Sequence, residues 1–495
     1  MGTQTGLRAG SGNIEYKWIV LSVTTIGALM AAIDGNIVIL ALPDMMVSLH
    51  ADLVQMIWVI MSYILISTVI LLTLGRIADM LGRVRMYNLG FVTFTVGSVF
   101  CGVSQNAMQL ILARMVQGGG GAMMVVNSAA LLTEVFPPNE RGRALGINGI
   151  TFAAGGVLGP VLGGLILAAS SWRWIFFINV PIGILGTVWG YRALRRLPAQ
   201  SRGERFDAVG AGAFSLGLLA LLAALTLGIN AGWASAPILG LFGLFLAMLF
   251  LFLRQERRAA NPVLDLSLFR NRVYGFSTLA AMMQSLAMFA VSFLIVFYLQ
   301  AVRGYDPLRA ALLLIPMPLV MAVVAPVSGM VADRVGARAP ATIGVLIQGA
   351  ALSWFTLLRP DTPYQSIALG LALMGLGGGM FFSPNTSAAM NAAPKNRLGV
   401  ASAALATLRQ TGMVTSLALA MAVAAGSLPR EDMMKLFVGT NIAMGSASMQ
   451  SFVVGMRGAF VVSLALSLVA AVFSFVRGSE DRSPLAAALC EERTP

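Results

Sequence analysis

Asp34 is the residue whose type and position most clearly indicate chemistry in this chain. It lies inside a long apolar stretch, residues 18–42, whereas the other 19 acidic residues fall in loops, tails or at the ends of apolar segments. A carboxylate in the middle of a membrane helix costs several kcal/mol, so a residue of this kind is a candidate functional site. The sequence therefore predicts that Asp34 is a deep proton-binding acid.

Arg114 and Gln117 lie in a second apolar stretch, residues 108–133. A buried guanidinium is costly unless it has a partner. The rise of an α-helix places Asp34 about 13 Å and Arg114 about 10 Å from the same membrane face. At this similar depth the two side chains can interact through space or through Gln117.

Whether Asp34 holds a proton depends on two opposing effects. A nearby arginine favours the ionised carboxylate, whereas burial favours the protonated one. The balance predicts proton exchange near neutral pH, and the alternative is a static buried ion pair.

The composition indicates the kind of protein that holds these residues. The chain has 495 residues, of which 58% are hydrophobic and only 11% are charged, and its mean hydropathy is +0.83. Soluble domains carry about 25% charged residues, so a polytopic membrane protein is predicted. The net charge of +13 lies in short loops between apolar segments, which argues against a nucleic-acid partner. The first apolar segment is too long for a signal peptide and is interpreted as a retained helix.

A helix needs about 20 apolar residues to cross the hydrocarbon core. Fourteen segments meet this length, and an all-α fold with fourteen transmembrane helices is predicted at 18–42, 54–75, 87–104, 108–133, 144–169, 173–193, 208–228, 236–254, 273–302, 307–331, 340–358, 365–392, 399–425 and 457–477. Residues 426–456 form a long outside segment, interpreted either as an interfacial helix or as a loose loop.

The basic residues predict the topology of these helices. Of the 33 Lys and Arg residues, 24 fall in segments that this count places in the cytoplasm, seven fall outside and two fall within spans. Because cytoplasmic loops are enriched in Lys and Arg, both termini are predicted to be cytoplasmic.

Two patterns recur along the chain. The pattern G-x-x-x-D-x-x-G occurs at 75–82 and again at 329–336, and a run of three glycines followed by Asn127 is matched by a second run followed by Asn385. Parallel halves with a site between them are a transporter architecture. The predicted units are a tail (1–17), a six-helix bundle (18–193), a linker with two inserted helices (194–272), a second six-helix bundle (273–477) and a tail (478–495).

The first pattern is interpreted as a tight cytoplasmic turn that also serves as a gate. Its acids can cap a helix N-terminus or pair with a nearby arginine. The proposed gate residues are Gly75, Asp79, Gly82, Arg83 and Asp333. A turn and a conformational latch are compatible roles.

The fifth predicted span contains a glycine- and proline-rich run. Proline bends a helix, and glycines permit close helix packing, so the physical interpretation is a kinked interface helix. The residues concerned are Gly155, Gly159, Pro160, Gly163 and Gly164.

Polar and aromatic residues and one methionine elsewhere in the spans are candidates for a substrate cavity. They are Trp58, Tyr63, Asn127, Met283, Phe289, Phe381, Phe382, Asn385 and Arg409, and any one of them can instead serve packing. For Arg409, the open roles are contact with an anion or substrate and hydrogen bonding to backbone carbonyls. The two cysteines and the single histidine form no cluster, so neither a disulfide framework nor a metal site is predicted.

These motifs together resemble the major facilitator superfamily, and specifically its fourteen-helix drug–proton antiporters, over residues 15–480. The first span is similar to that family's first-helix motif with Asp34 on its acid, residues 114–118 resemble its R-x-x-Q-G motif, and residues 155–164 resemble its exporter motif. The run at 172–181 is similar to a sixth-helix signature. Asn36 and Ile39 depart from the family pattern beside Asp34.

The resemblance implies a proton-coupled exporter of hydrophobic, often cationic compounds that works by alternating access in the inner (cytoplasmic) membrane of the cell. Asp34 would carry the proton, Arg114 would tune it and Gln117 would assist. A monomer that uses protons as its coupling ion, with no other cofactor and no enzymatic activity, is expected. The alternatives are a dedicated exporter of one endogenous metabolite or lipid and an importer, against which the span-five motif argues.

Overall fold

A computed structural model describes residues 16–51, 53–194, 207–259, 264, 266–305, 307–394, 397–425 and 446–478. These residues form α-helices and no strand. The helices are α1 (Tyr16–Ser48), α2 (Leu53–Leu81), α3 (Arg83–Val103), α4 (Ala107–Val135), α5 (Arg141–Ala169), α6 (Trp174–Phe177), α7 (Asn179–Ala193), α8 (Ala208–Ala231), α9 (Ala236–Glu256), α10 (Arg272–Phe297), α11 (Pro307–Leu313), α12 (Pro316–Val335), α13 (Arg338–Phe355), α14 (Tyr364–Asn391), α15 (Leu398–Ala425) and α16 (Ser446–Val476).

Twelve helical segments of the described residues are long and apolar enough to cross a membrane. The predicted all-helical membrane fold is therefore confirmed, whereas the count of fourteen spans is not. Helices α13 and α15 occupy the positions of the eleventh and thirteenth predicted spans, but they do not meet the same requirement of length and hydropathy. Each of these two helices carries an arginine, Arg338 in the first and Arg409 in the second.

Several predicted boundaries differ from the structure. Helix α1 continues through Pro43 to Ser48, because a proline removes one hydrogen bond without ending the bonds of the following turn. The predicted span at 307–331 is broken into α11 and α12, since Pro316 opens a new helix. The last helix begins at Ser446 rather than at residue 457, so part of the predicted outside segment is helical. Residues 426–445 of that segment lie outside the described residues.

The repeated G-x-x-x-D-x-x-G pattern ends in the same backbone conformation at both places. Gly82 lies between α2 and α3 with φ 103°, and Gly336 lies between α12 and α13 with φ 96°. A side chain disfavours positive φ, so glycine is the residue that permits both reversals. The two copies of the sequence pattern therefore form the same kind of reversal between helices.

Helix α5 packs closely against α1 on either side of the turn that holds Asp34. A Cβ added at Gly155 would lie 2.7 Å from the carbonyl carbon of Ala32, and one added at Gly159 would lie 3.1 Å from the carbonyl oxygen of Ile33. Glycines allow this approach because they lack a Cβ. The backbone of α5 therefore sets the position of the helix segment that carries the buried carboxylate.

Gly163 and Gly164 complete the predicted exporter motif one turn further along α5. Gly163 is buried and Gly164 is partly buried. Pro160 lies within α5, and its side chain is outside the described part of the structure.

Helices α8 and α9 pack on each other, and α8 also contacts α2 and α15. Helix α9 exposes large apolar side chains, among them Leu239, Leu246 and Phe250. Such an exposed apolar face is stable in lipid and not in water. Helices α8 and α9 therefore lie at the periphery of the helix bundle. They do not come between Asp34 and Arg114.

The packing of α5 on α1 can be tested with two neighbouring glycines. Gly155→Ala should lower the free energy of unfolding by about 1–3 kcal/mol, because the added methyl group overlaps α1. Gly156→Ala should be neutral or stabilising by up to about 1 kcal/mol through helix propensity, because no atom lies within 4 Å of its Cβ position. Thermal unfolding in detergent measures both variants, and equal midpoints would contradict the proposed packing role.

Candidate functional site

Asp34 is fully buried, and its carboxylate accepts three hydrogen bonds. Arg114 Nη1 donates to Asp34 Oδ2 at 2.6 Å, and the amide nitrogens of Gln117 and Asn179 each donate to Asp34 Oδ1 at 2.8 Å. The residues lie on α1, α4 and α7. The structure thus brings together the three side chains singled out in the sequence and adds a fourth, Asn179.

Arg114 is held by more than the carboxylate. Its Nε donates to the carbonyl of Val59 at 3.2 Å, and its Nη1 also donates to Gln117 Oε1 at 2.7 Å. The guanidinium carbon lies 4.3 Å from the centroid of the Tyr63 ring. An arginine over an aromatic face gains a cation–π attraction, which is larger when the pair is desolvated. Tyr63, one of the predicted cavity residues, therefore packs against Arg114.

Gln117 connects the carboxylate to α3. Its Nε2 donates to Ser98 Oγ at 2.8 Å, and Cys101 Sγ donates to its Oε1 at 3.6 Å. A Cβ added at Gly97 would lie 2.7 Å from the backbone nitrogen of Gln117, so α3 and α4 are in close contact here. The network around Asp34 therefore spans α1, α2, α3, α4 and α7.

Asn179 and Ser98 were not among the residues predicted for this site. Asn179 follows the break between α6 and α7, and it is the only amide side chain in residues 174–193. A single amide in an apolar span is a signal that sequence reasoning could have used, since burying it without a partner is costly. Ser98 carries no comparable signal, because serines in membrane helices often donate to their own backbone.

A second polar cluster joins the bundle at the end where α2 finishes and α15 begins, which we call the latch end. Asp79 accepts hydrogen bonds from the backbone nitrogens of Gly399 and Val400, both at 3.0 Å. These nitrogens belong to the first turn of α15, where the helix dipole favours a negative charge. Asp79 also accepts from Arg83 Nη2 at 2.8 Å.

The second copy of the repeat makes the reciprocal contact. Asp333, at the end of α12, accepts from the backbone nitrogen of Gly142 at 3.0 Å and from that of Arg143 at 3.1 Å, both in the first turn of α5. An aspartate of each half therefore caps a helix of the other half. The predicted gate residues Asp79 and Asp333 occupy equivalent places, although their gating role stays a prediction.

Glycines permit the close approach at both capped ends. A Cβ at Gly75 would lie 2.7 Å from the carbonyl oxygen of Gly399, and one at Gly142 would lie 2.7 Å from that of Gly329. Ser383 Oγ adds a hydrogen bond to the carbonyl of Gly142 at 2.6 Å. The latch end is therefore closed in this conformation.

Arg83 extends the first contact within its own half. Its Nη1 forms an ion pair of 2.6 Å with Glu134 at the end of α4. The latch is thus connected to the same helix that carries Arg114 and Gln117.

The cavity candidates divide into two groups. Phe382 and Arg409 line a cavity of about 50 Å³ between the two halves. The others lie elsewhere: Trp58 lines a separate small void, Phe289 is partly exposed, Met283 and Phe381 pack in the α10–α14–α15 core, and Asn127 and Asn385 are buried. Asn385 accepts from Arg477 Nη1 at 3.1 Å and donates to the carbonyl of Ser277 at 3.0 Å.

The sequence profile of the Major Facilitator Superfamily matches residues 24–211 and 195–417. The chain belongs to this superfamily and is a multi-pass membrane transporter. One relative is the riboflavin transporter RibZ of Clostridioides difficile (strain 630), which is 31% identical over 448 residues, covering 90% of this chain and 96% of the relative.

Two further relatives are named for resistance. Multidrug resistance protein Stp of Mycobacterium tuberculosis (strain CDC 1551 / Oshkosh) is 33% identical over 413 residues, covering 83% of this chain and 76% of the relative. The tetracenomycin C resistance and export protein of Streptomyces glaucescens is 30% identical over 402 residues, covering 81% of this chain and 75% of the relative.

Solved structures agree on the fold. The human organic anion transporter MFSD10 (TETRAN) superposes with a TM-score of 0.63 at 15% identity and covers 91% of this chain and 99% of that chain. A similarity at this identity concerns the fold alone.

The latch contacts can be tested by spin labelling at two exposed positions, Leu81 on α2 and Val335 on α12. Asp79→Asn and Asp333→Asn should each increase the population of longer label distances, because each removes charge-assisted bonds worth roughly 1.5–3 kcal/mol. Asp361→Asn, at an exposed position outside the latch, serves as the control. Double electron–electron resonance measures the distances, and distributions that match the control would show that the caps do not hold this end closed.

Proposed function

We propose that this chain is a proton-coupled exporter of hydrophobic small molecules from the fourteen-helix drug–proton antiporter branch of the superfamily. The observation that carries the proposal is the buried carboxylate of Asp34 with its arginine and two amide donors. A carboxylate in a membrane bundle is retained for binding an ion or a proton. Relatives named for multidrug resistance and antibiotic export support the direction and the kind of substrate.

In the proposed mechanism, protonation of Asp34 removes the negative charge of the buried ion pair. The neutral acid leaves Arg114 as a buried charge without its counter-ion, and this state is strongly unfavourable. The helices around the pair then shift until the guanidinium finds other acceptors. Asp34 has no exposed surface in this conformation, so proton exchange with water also needs a movement of α1.

Helix α5 provides a physical connection between Asp34 and the latch. Gly155 and Gly159 pack it against the Asp34 turn of α1, and the backbone nitrogen of Gly142 at its start is capped by Asp333. A movement of α1 that follows protonation displaces α5 along its length, because an α-helix is a rigid element. The proposal therefore couples proton binding to opening of the latch end through one helix.

The orientation of the protein follows from its basic residues. With α13 and α15 also crossing the membrane, the bundle has fourteen spans, both termini lie in the cytoplasm and the latch end faces the cytoplasm. The 24 of 33 Lys and Arg residues on that side support this arrangement in a cytoplasmic membrane. The conformation described is then closed toward the cytoplasm.

A dedicated exporter of one metabolite is the second candidate function. The relative named as a riboflavin transporter, which this chain matches over 90% of its length, favours it. Growth of a strain that lacks its efflux pumps, with and without this protein, across a panel of toxic compounds separates the two. Protection against several unrelated compounds supports multidrug export, whereas protection against none supports a dedicated substrate.

The coupling role of Asp34 can be tested in reconstituted vesicles with an imposed pH gradient. Asp34→Asn should lose proton-driven substrate flux and keep only the flux seen without a gradient, because an amide cannot carry the proton. Asp44→Asn changes an exposed acid on the same helix and should transport like the unmodified protein. Flux through Asp34→Asn that still follows the gradient would refute the mechanism.

The amide donors should set the pH range in which transport occurs. Asn179→Leu removes one of the three hydrogen bonds to the Asp34 carboxylate, so the pH profile of transport should differ from that of the unmodified protein. Arg114→Ala should change the profile further, provided that the protein folds. Thr187→Val is the matched control on α7, because its hydroxyl donates only to the carbonyl of Gly183. An unchanged profile for Asn179→Leu would remove this residue from the proton site.

A further inference from the structure

The cavity between the two halves contains donors that the proton mechanism does not use. Its walls come from α1, α4 and α5 on one side and from α14 and α15 on the other. Its lining is mainly apolar, with Leu145 and Leu405 on opposite sides. Its polar donors of interest are Arg409 and Asn148, one from each half.

Arg409 brings an uncompensated positive charge to this cavity. Its guanidinium carbon lies 4.9 Å from the centroid of the Phe382 ring. No side chain or backbone group among the described residues makes a hydrogen bond or ion pair with its guanidinium, and no Asp or Glu lines the cavity. A guanidinium in a membrane bundle is stabilised by an anionic partner, and no described protein residue supplies one here.

Asn148 faces the same space from α5. Its Oδ1 accepts a hydrogen bond from Ser128 Oγ at 3.1 Å, which fixes the orientation of the amide. Its Nδ2 is buried and has no hydrogen-bond partner among the described residues. A buried donor without an acceptor costs about 1–3 kcal/mol, so an acceptor group of a ligand would restore this energy.

From these two donors we infer that the cavity binds hydrophobic compounds that carry an anionic oxygen, a carboxylate or a phenolate, rather than cations. The oxygen lies between Arg409 and the Asn148 amide, and an aromatic ring of the compound packs on Phe382 and the apolar walls. The inference rests on the proposed function as an exporter and names its substrate class. It reverses the charge expected from the family resemblance.

The size of the cavity agrees with a polar anchor for a larger molecule. About 50 Å³ holds a few water-sized groups, so it accommodates a carboxylate and part of a ring. A whole drug-sized compound needs several hundred cubic ångströms. Its remainder fits only when the two halves move apart, as alternating access requires.

The two donors come from the helices that hold the latch closed. Arg409 lies on α15, whose first turn is capped by Asp79, and Asn148 lies on α5, whose first turn is capped by Asp333. An anion bound by both side chains therefore bridges the two halves. Release of the anion removes this bridge. Bound substrate and the latch contacts therefore both hold the two halves together through α5 and α15.

Equilibrium binding of two xanthene dyes to the purified protein in lipid nanodiscs tests the inference without a pH gradient. Fluorescein is anionic and rhodamine 123 is cationic, and fluorescence anisotropy follows both. The unmodified protein should bind fluorescein more tightly. Arg409→Gln should weaken fluorescein binding by about tenfold to a hundredfold, the loss expected for a charge-assisted hydrogen bond, and leave rhodamine 123 binding unchanged or tighter.

Three further variants test the roles of charge and of Asn148 and supply a control. Arg409→Lys keeps the charge and should retain part of the affinity, whereas Asn148→Leu should lower it by a smaller factor than Arg409→Gln. Arg303→Gln changes a partly exposed arginine outside the cavity that donates to the carbonyl of Pro360, and it should bind fluorescein like the unmodified protein. Thermal unfolding midpoints close to that of the unmodified protein show that the variants are folded.

The possible outcomes separate this inference from the proposed function. Fluorescein affinity that Arg409→Gln leaves unchanged, an absence of fluorescein binding, or a preference for rhodamine 123 that survives Arg409→Gln would overturn the inference. None of these results bears on proton coupling, because the binding experiment contains no gradient. Conversely, the protein could bind anions through Arg409 and show no proton-driven flux. This result would support anion binding in the cavity and refute the proposed proton-coupled export.

Discussion

The buried ion pair between Asp34 and Arg114 is the interaction on which the rest of the structure depends. Its two charges are removed from water, so the pair is stable only while each group keeps its full set of hydrogen bonds. Gln117, Asn179, the carbonyl of Val59 and the ring of Tyr63 supply those partners. With Ser98 of α3, which accepts a hydrogen bond from Gln117, the network joins five helices. In the proposed mechanism, protonation of Asp34 changes how these helices pack.

Helix α5 contacts the Asp34 turn of α1, the central cavity and the latch end. Its first turn is held by Asp333, its middle carries Asn148 on the central cavity, and its glycines rest against the Asp34 turn of α1. The proposed proton site, the proposed substrate cavity and the latch end therefore all contact one helix. In the proposed mechanism, a movement at any one of these places changes the packing at the other two through α5.

The two halves are equivalent at the latch but differ in their charged interior groups. Asp79 and Asp333 cap opposite helices in the same way, as the sequence repeat implies. In contrast, the first half holds its arginine in an ion pair with Asp34, whereas Arg409 of the second half faces the cavity, whose described lining contains no acid. In our proposal the symmetric ends of the fold open and close, and the difference between the two arginines separates the proton site from the substrate site.

The sequence by itself determined the membrane class, the repeat, and the choice of Asp34, Arg114 and Gln117, because a polar group in an apolar helix is costly wherever the helix packs. It also singled out the two aspartates of the latch end and the glycines of α5 that pack on α1. Only the tertiary structure showed that Asn179 donates to Asp34, that Tyr63 stacks on Arg114, and that Asn385 binds Arg477 while Arg409 faces the cavity. These assignments depend on which helices are neighbours and how each is rotated. Neither quantity follows from the spacing of residues along one chain, since every helix of a membrane bundle is apolar on nearly all sides.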